Sequence, residues 1–225
     1  MLFEELLSDK INYAHLFALK MNEYELLLNE KDSFIVHSLF SDIYSVEATS
    51  ESDLNTVIGL LKNIHPELLL TTNPSVFSAL CSGYTNSYEC IQYVFPSPYA
   101  ANPNVRLIKE SDLKNIVIAD QSTEYIHQLF QSNRILAYYL DDTLIGHSVF
   151  HIDGTIGGVY VNPDYRGQSY GSAILKASVN YFYNGALYSH VKSDNVASIR
   201  MHLSIGAVES NPRIYWMHNR GFKFP

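Results

Sequence analysis

VYVNPDYRGQSYGSAIL, Val159 to Leu175, is the stretch on which the fold turns. Val159 and Val161 alternate with the more polar Tyr160 and Asn162, the period of a strand. Asn162-Pro163-Asp164 stops that strand. Gly167 and Gly171 leave room for backbone to approach a ligand, and Ser169 between them is small. Ala173, Ile174, Leu175 and Ala177 then give a helix its apolar face. At the start of that helix the amides of Gln168, Ser169, Tyr170, Gly171 and Ser172 have no helical acceptor, so they can point at a pyrophosphate or another anion.

Other glycine motifs fit less well. A P-loop needs Gly-Lys-Ser/Thr, and Lys176 comes too late. A dinucleotide fold needs G-x-G-x-x-G, which the spacing of Gly167 and Gly171 does not supply. Gly167-Gln168-Ser169-Tyr170-Gly171 does match the Gly-x-Ser-x-Gly nucleophile elbow, and Asp194 followed by His202 or His218 supplies the chain order of a hydrolase triad. With nine histidines in the chain that order is easily met. The same five residues also fit the anion motif.

Val161-Asn162-Pro163 followed by Arg166-Gly167-Gln168-Ser169-Tyr170-Gly171 resembles the acyl-CoA-binding motif of the GCN5-related N-acetyltransferase (GNAT) superfamily, Gln/Arg-x-x-Gly-x-Gly/Ala. Ser169 departs from the usual glycine. A second segment, Asp194 to Ala207, resembles the family's Asn-x-x-Ala/Ser-x-x-x-Tyr-x-x-x-Gly-Phe. Asn195, Ser198 and Gly206 fall on family positions, His202 takes the place of the tyrosine, and Ala207 that of the phenylalanine. The resemblance covers residues 104–225. It implies an α/β (α+β) fold with a mixed central sheet flanked by helices, and acetyl-CoA as the acyl donor. The implied reaction is direct transfer of an acetyl group to an amine, with no covalent enzyme intermediate. It places Val159, Tyr160 and Val161 beside the pantetheine arm, with the family's splay between strands opening the thioester site there. Arg166 and the amides of Gln168 to Ser172 would hold the pyrophosphate, and Asn195 and Ser198 would complete the cofactor contacts. His202 would be the proton donor to the departing thiolate, since histidine titrates near neutrality.

The rest of the chain bounds these expectations. The 225 residues are 47% hydrophobic, as in a globular protein. No run of 18 apolar residues suggests a membrane span, and Met1-Leu2-Phe3-Glu4-Glu5 lacks the basic start of a secretory signal. Cys81 and Cys90 do not make a disulfide framework, which points to a reducing cytoplasm. Residues 1–103 carry 13 acids and 4 bases, whereas residues 104–225 carry 10 acids and 11 bases. No basic patch argues for nucleic acid. The expected partner is a small-molecule amine, with a homodimer as a possible assembly.

Residues 1–30 read as helix, with Met21 to Leu28 continuing it. Ser33 to Phe40 reads as strand or short helix, and Ser41 to Ser50 as loop. Glu51 to His65 reads as a helix capped by Ser50 or Ser52. Leu68 to Leu70 and Glu89 to Phe95 read as strands, with a helical stretch from Ser75 to Cys81. Pro98 to Pro103 is the best linker, dividing an acidic region, 1–100, from an acyltransferase domain, 104–225. The first region could be a decayed half of the same fold, as some family members carry. In the second, Val105 to Ile108 reads as strand, and Ser111 to Asp120 and Ser122 to Gln131 as helices. Ile135 to Leu140 and Thr143 to Phe150 read as a hairpin across Asp141-Asp142. Strand Thr155 to Val161, helix Ser169 to Phe182, strand Ala186 to Val191 and helix Val196 to Leu203 follow. Ala207 to Glu209 and Arg213 to Met217 read as late strands.

The base that would take the amine proton is not determined. His147 and His151, four apart on a strand run, face one side, and His190 and Glu209 are further candidates. No metal site is expected, since no His-Glu-x-x-His occurs. Three alternatives stand beside acetyl transfer to a small amine: a non-catalytic acyl-CoA sensor, a protein or peptide N-acetyltransferase, and a hydrolase built on Ser169.

Overall fold

Ser50 starts the first long helix as a cap should: its hydroxyl accepts the Asp53 amide at 3.1 Å. The helix runs Glu51–Ile64 and stops where His65 turns left-handed at φ 53°. Its buried face, Val57 and Leu61, packs in a core with Ile35, Val46, Leu69 and Met217. The structure, a computed structural model, describes residues 2–219 apart from 22, 96, 119–121 and 186. The chain divides into two compact units, residues 1–92, 190–195 and 209–225 in the first and residues 93–189 and 196–208 in the second.

The first unit opens with α1 (Leu2–Ser8) and α2 (Ala14–Phe17). Strands β1 (Tyr24–Asn29), β2 (Ser33–Ser38) and β3 (Ile43–Ala48) follow, then the helix just described, α3. Next come β4 (Leu68–Thr71), α4 (Pro74–Leu80) and β5 (Asn86–Phe95). The second unit holds β6 (Val105–Leu107), a 3-10 turn at Glu110–Asn115, α5 (Thr123–Gln131), β7 (Ile135–Leu140), β8 (Thr143–Phe150) and β9 (Ile156–Val161). It continues with α6 (Tyr170–Phe182), β10 (Leu187–Lys192) and α7 (Val196–Ser204), and β11 (Val208–Glu209) and β12 (Ile214–His218) end the order. The chain passes between the units inside β5, β10 and β11 and between Asn195 and Val196.

Two sheets result. One has the order β1-β2-β3-β4-β12-β5-β10 with β11 on β5, and the other is β6-β7-β8-β9. Within the first, β3 and β4 are parallel while β12 runs antiparallel to both β4 and β5. The mixed α/β architecture therefore agrees with the expected fold class. The compact units, however, interleave along the chain rather than follow one another across Pro98–Pro103. The reason is that β12, from the end of the sequence, inserts between β4 and β5.

Three local expectations are corrected. Met21 to Leu28 does not extend a helix, because Tyr24–Asn29 pairs with β2 as an edge strand. Ser41 to Ser50 is not a loop, because it contains the buried strand β3. Its polar residues Ser45 and Glu47 concealed the strand, yet both are buried. Glu47 Oε1 accepts the Thr72 amide and hydroxyl at 2.6 Å each, and burial pushes its pKa up to about 7. The helix expected over Ser111 to Asp120 is only a 3-10 turn, Glu110–Asn115, with residues 119 and 120 outside the described set. By contrast, the hairpin turns at Asp141-Asp142, both at positive φ (44° and 67°), as a two-residue turn with the strands' own twist requires. Residue 186 of the expected strand Ala186 to Val191 also lies outside the described set.

Candidate functional site

In the second unit β9 is an edge strand, with β8 on one side only. A single parallel bridge, Thr155↔Tyr188, joins its start to β10, and Tyr188 adds a hydroxyl bond to the Asp153 carbonyl at 2.7 Å. Beyond that bridge the outer edge of Ile156–Val161 has no ladder partner among the described residues. Val159, Tyr160 and Val161 therefore lie along an open backbone edge, able to pair with an extended amide-bearing ligand. Gly158 and Val159 together stand opposite Ser148, a bulge where the β8–β9 register shifts. Gly158 has φ +56°, and a Cβ on Gly157 would come 3.0 Å from His151 Nε2.

The turn after β9 is built by its own hydrogen bonds. Asn162 Oδ1 accepts the Asp164 amide at 3.2 Å, and the Asn162 and Pro163 carbonyls accept the amides of Tyr165 and Arg166. Gly167 (φ +77°) and Ser169 (φ +63°) both turn left-handed before α6 begins. Ser169 thus takes a conformation that costs a side-chain-bearing residue energy, which is why glycine is the easier choice there. Its hydroxyl does not cap the helix. The amides of Tyr170, Gly171 and Ser172 stay without helical acceptors, a concavity suited to an anion. Gln168 is exposed beside them.

Arg166 is exposed, and its Nε donates to the Val161 carbonyl at 3.0 Å. That bond folds the side chain back over the strand, with the guanidinium 5.8 Å from the Tyr160 ring centroid. Gly171 also has a packing reason. A Cβ there would lie 3.1 Å from Met201 Sδ and 3.7 Å from Val161 Cγ2, so the glycine makes room for packing by α7 and β9. No sequence pattern pointed to Met201.

His202 is placed quite differently from a donor at an open site. It is 3% exposed, and it stacks on Tyr93 at 5.0 Å between ring centroids. Its Nδ1 donates to the Ser198 carbonyl at 2.8 Å, one helical turn back, which leaves Nε2 as acceptor for the Ser189 hydroxyl at 2.7 Å. Burial holds its pKa below the ordinary histidine value, with the Ser198 carbonyl opposing. Ser198 Oγ lies 3.4 Å from the same Nδ1, so Ser198 is tied to His202. Asn195 belongs to the first unit and directly precedes α7, its amide donating to the Lys192 carbonyl at 2.9 Å.

The candidate bases each have at least one polar atom engaged. His147 is fully buried, stacked on Tyr160 at 5.4 Å. Its Nε2 accepts the Val117 amide at 3.1 Å, and burial lowers its pKa to about 4. His151 Nδ1 meets the Tyr125 hydroxyl at 2.9 Å, and burial lowers its pKa as well. His190 accepts from Trp216 Nε1 at 3.2 Å and lies 3.3 Å from Gln92 Oε1. Glu209 is paired with Arg213 at 2.9 Å. The hydrolase reading lacks its base: among the described residues no hydrogen bond joins the Ser169 hydroxyl to a histidine, while His202 is held by Ser189 and Ser198. No group of three or more metal-ligating side chains occurs among the described residues.

Residues 105–207 match the profile of the acetyltransferase (GNAT) family. No curated protein matches the chain. Among solved structures, a Drosophila protein is similar at a TM-score of 0.63 and 13% identity, covering 95% of this chain and 94% of the other. A GCN5-related N-acetyltransferase-like protein from Streptococcus suis is similar at 0.55 and 12%, with 95% and 96% covered. A GCN5-related N-acetyltransferase from Kribbella flavida is similar at 0.56 and 10%, with 91% and 93% covered. At such identities the likeness is one of fold.

Proposed function

We propose that the region matching the GNAT profile transfers an acyl group, acetyl in the simplest case, from acyl-CoA to the primary amine of a small molecule or amino-acid-like acceptor. One observation carries this reading: the open edge of β9 leads directly into the left-handed turn and the uncapped start of α6. The residues fit the two ends of such a donor. The unpaired amides of Tyr170, Gly171 and Ser172 suit a pyrophosphate, helped by the helix dipole. The open edge at Val159–Val161 suits the amides of a pantetheine arm. The terminal nitrogens of Arg166 are left for the phosphates once Nε has bonded Val161. Acyl-CoA supplies the activated thioester, and the chain supplies orientation and amide donors for direct attack by the amine.

In this reading His202 stabilises the domain rather than protonating the thiolate, which takes its proton from water. The pairing of both His202 nitrogens also favours a second reading, an acyl-CoA binder without turnover. A reducing cytoplasm is the proposed setting, in keeping with the free thiols Cys81 and Cys90. The test is coenzyme A release over a panel of small amines and lysine peptides, beside calorimetry of acetyl-CoA binding. Release with a small amine supports transfer to that class, and release with peptides alone assigns a protein acceptor. Binding with no release on any amine establishes the binder. Absence of acetyl-CoA binding overturns both readings.

A further inference from the structure

The first unit carries a cleft lined by residues to which the acyl-CoA reading gives no role. Its cavity of about 570 Å³ lies between the start of β5, from Asn86 to Glu89, and the end of β10 with the turn after it, Lys192 to Asp194. That volume falls in the range of small-molecule sites. The charges on its walls are unevenly satisfied. Glu89 is committed: its Oε1 accepts the Ser193 hydroxyl at 2.8 Å and lies 3.7 Å from Arg213 Nε. Lys192 is not. Its Nζ rests 4.3 Å from the centroid of the Tyr88 ring, and among the described residues no carboxylate pairs with it. The aromatic face holds the ammonium in place without neutralising it. Asp194, exposed on the same cleft, forms no ion pair among the described residues either. A cation and a carboxylate are therefore both available in one cavity, with the Ser87 hydroxyl and the Asn86 amide beside them.

We propose that this cleft binds a small zwitterion, an α-amino acid, with its carboxylate on Lys192 and its ammonium on Asp194. A simple anion would be repelled by Asp194, and a simple cation by Lys192. Only a ligand bearing both charges satisfies both walls at no net charge. The site stands on the first unit alone, whether or not the other unit transfers an acyl group.

The test is calorimetry of the full chain with a panel of free α-amino acids, without any acyl donor. Each amino acid is compared with its carboxamide and its N-acetyl derivative. At least one free amino acid should bind one per chain, with both derivatives weaker by about tenfold or more. Lys192→Met keeps the stem over Tyr88 and removes the charge, so it should abolish the preference for acid over amide. Asp194→Asn should abolish the preference for the free over the acetylated amine. Both positions are exposed, and an unchanged melting temperature establishes that the variants fold. The proposal is overturned if no amino acid binds at millimolar concentration, if amides bind as well as acids, or if the preferences survive in these variants.

Discussion

Replacing His202 by phenylalanine separates packing from proton transfer. The ring stacks on Tyr93 at 5.0 Å and lies tilted against Phe95 at 5.8 Å, so a phenylalanine keeps most of the apolar contact. What it removes is the acceptor for Ser189, whose hydroxyl is buried at 2% exposure. A buried donor without a partner costs about 1–3 kcal/mol. The Ser198 carbonyl loses only an extra donor, since its position in α7 gives it a helical bond as well. His202→Phe should therefore destabilise the protein by about 1–3 kcal/mol, roughly 2–4 °C in melting temperature per kcal/mol for a chain of this size. Adding Ser189→Ala should recover much of that loss, because removing both partners leaves nothing unsatisfied. Turnover per folded molecule should stay within a few fold. A proton donor, by comparison, typically contributes about 10²- to 10⁴-fold. Thermal melts and coenzyme A release on the same preparations decide the matter. If His202→Phe melts like the parent, loses turnover a hundredfold or more, and is rescued by His202→Tyr, the packing account is wrong and histidine is the donor.

Acidification should destabilise the first and second units alike through their buried histidines. His15 and His147 have pKa values lowered to about 4 by burial, so the unfolded chain binds their protons first. The stability they allow is complete above about pH 6.5 and is lost as pH falls through 4, about 3 kcal/mol for each. Urea titrations at several pH values, read by the single tryptophan, Trp216, check this. Glu47 acts in the opposite sense, because its raised pKa stabilises the fold below its ordinary value of 4.5 and that contribution disappears as pH rises through about 7. Glu47→Gln should therefore gain stability relative to the parent at pH 8 and not at pH 4, measured by the same titrations. Gly171→Val drives a side chain into Met201 and the start of α6, and should weaken acetyl-CoA binding by about tenfold, 1.4 kcal/mol, in calorimetry. Unchanged affinity in the folded variant would remove this turn from the cofactor site.

Local chemistry made much of this protein readable from its sequence. Ser50 before an amphipathic run specifies the start of α3, and Asp141-Asp142 between two apolar runs specifies a two-residue hairpin. Val159 to Leu175 specifies strand, turn and helix because a proline, two glycines and an apolar face each act within a few residues. That stretch together with Asp194 to Ala207 pointed to the GNAT family, whose profile matches residues 105–207.

Tertiary structure decided what depends on distant partners. Tyr24–Asn29 is rich in helix-forming leucine and glutamate, yet β2 pairs with it and makes it a strand. Ser45 and Glu47 look like loop residues until Thr72 supplies Glu47 with two hydrogen bonds from across the sheet. The interleaving of the units follows from β12 inserting between β4 and β5, a pairing over more than 120 residues that no local signal encodes. His202 occupies a motif position that reads as chemistry, while the fold buries it against Tyr93 and bonds its two nitrogens to Ser198 and Ser189. A motif records which residue stands where. Whether its polar atoms face a ligand or one another is settled only when the rest of the chain has closed around them, because that closure determines which hydrogen bonds can replace water.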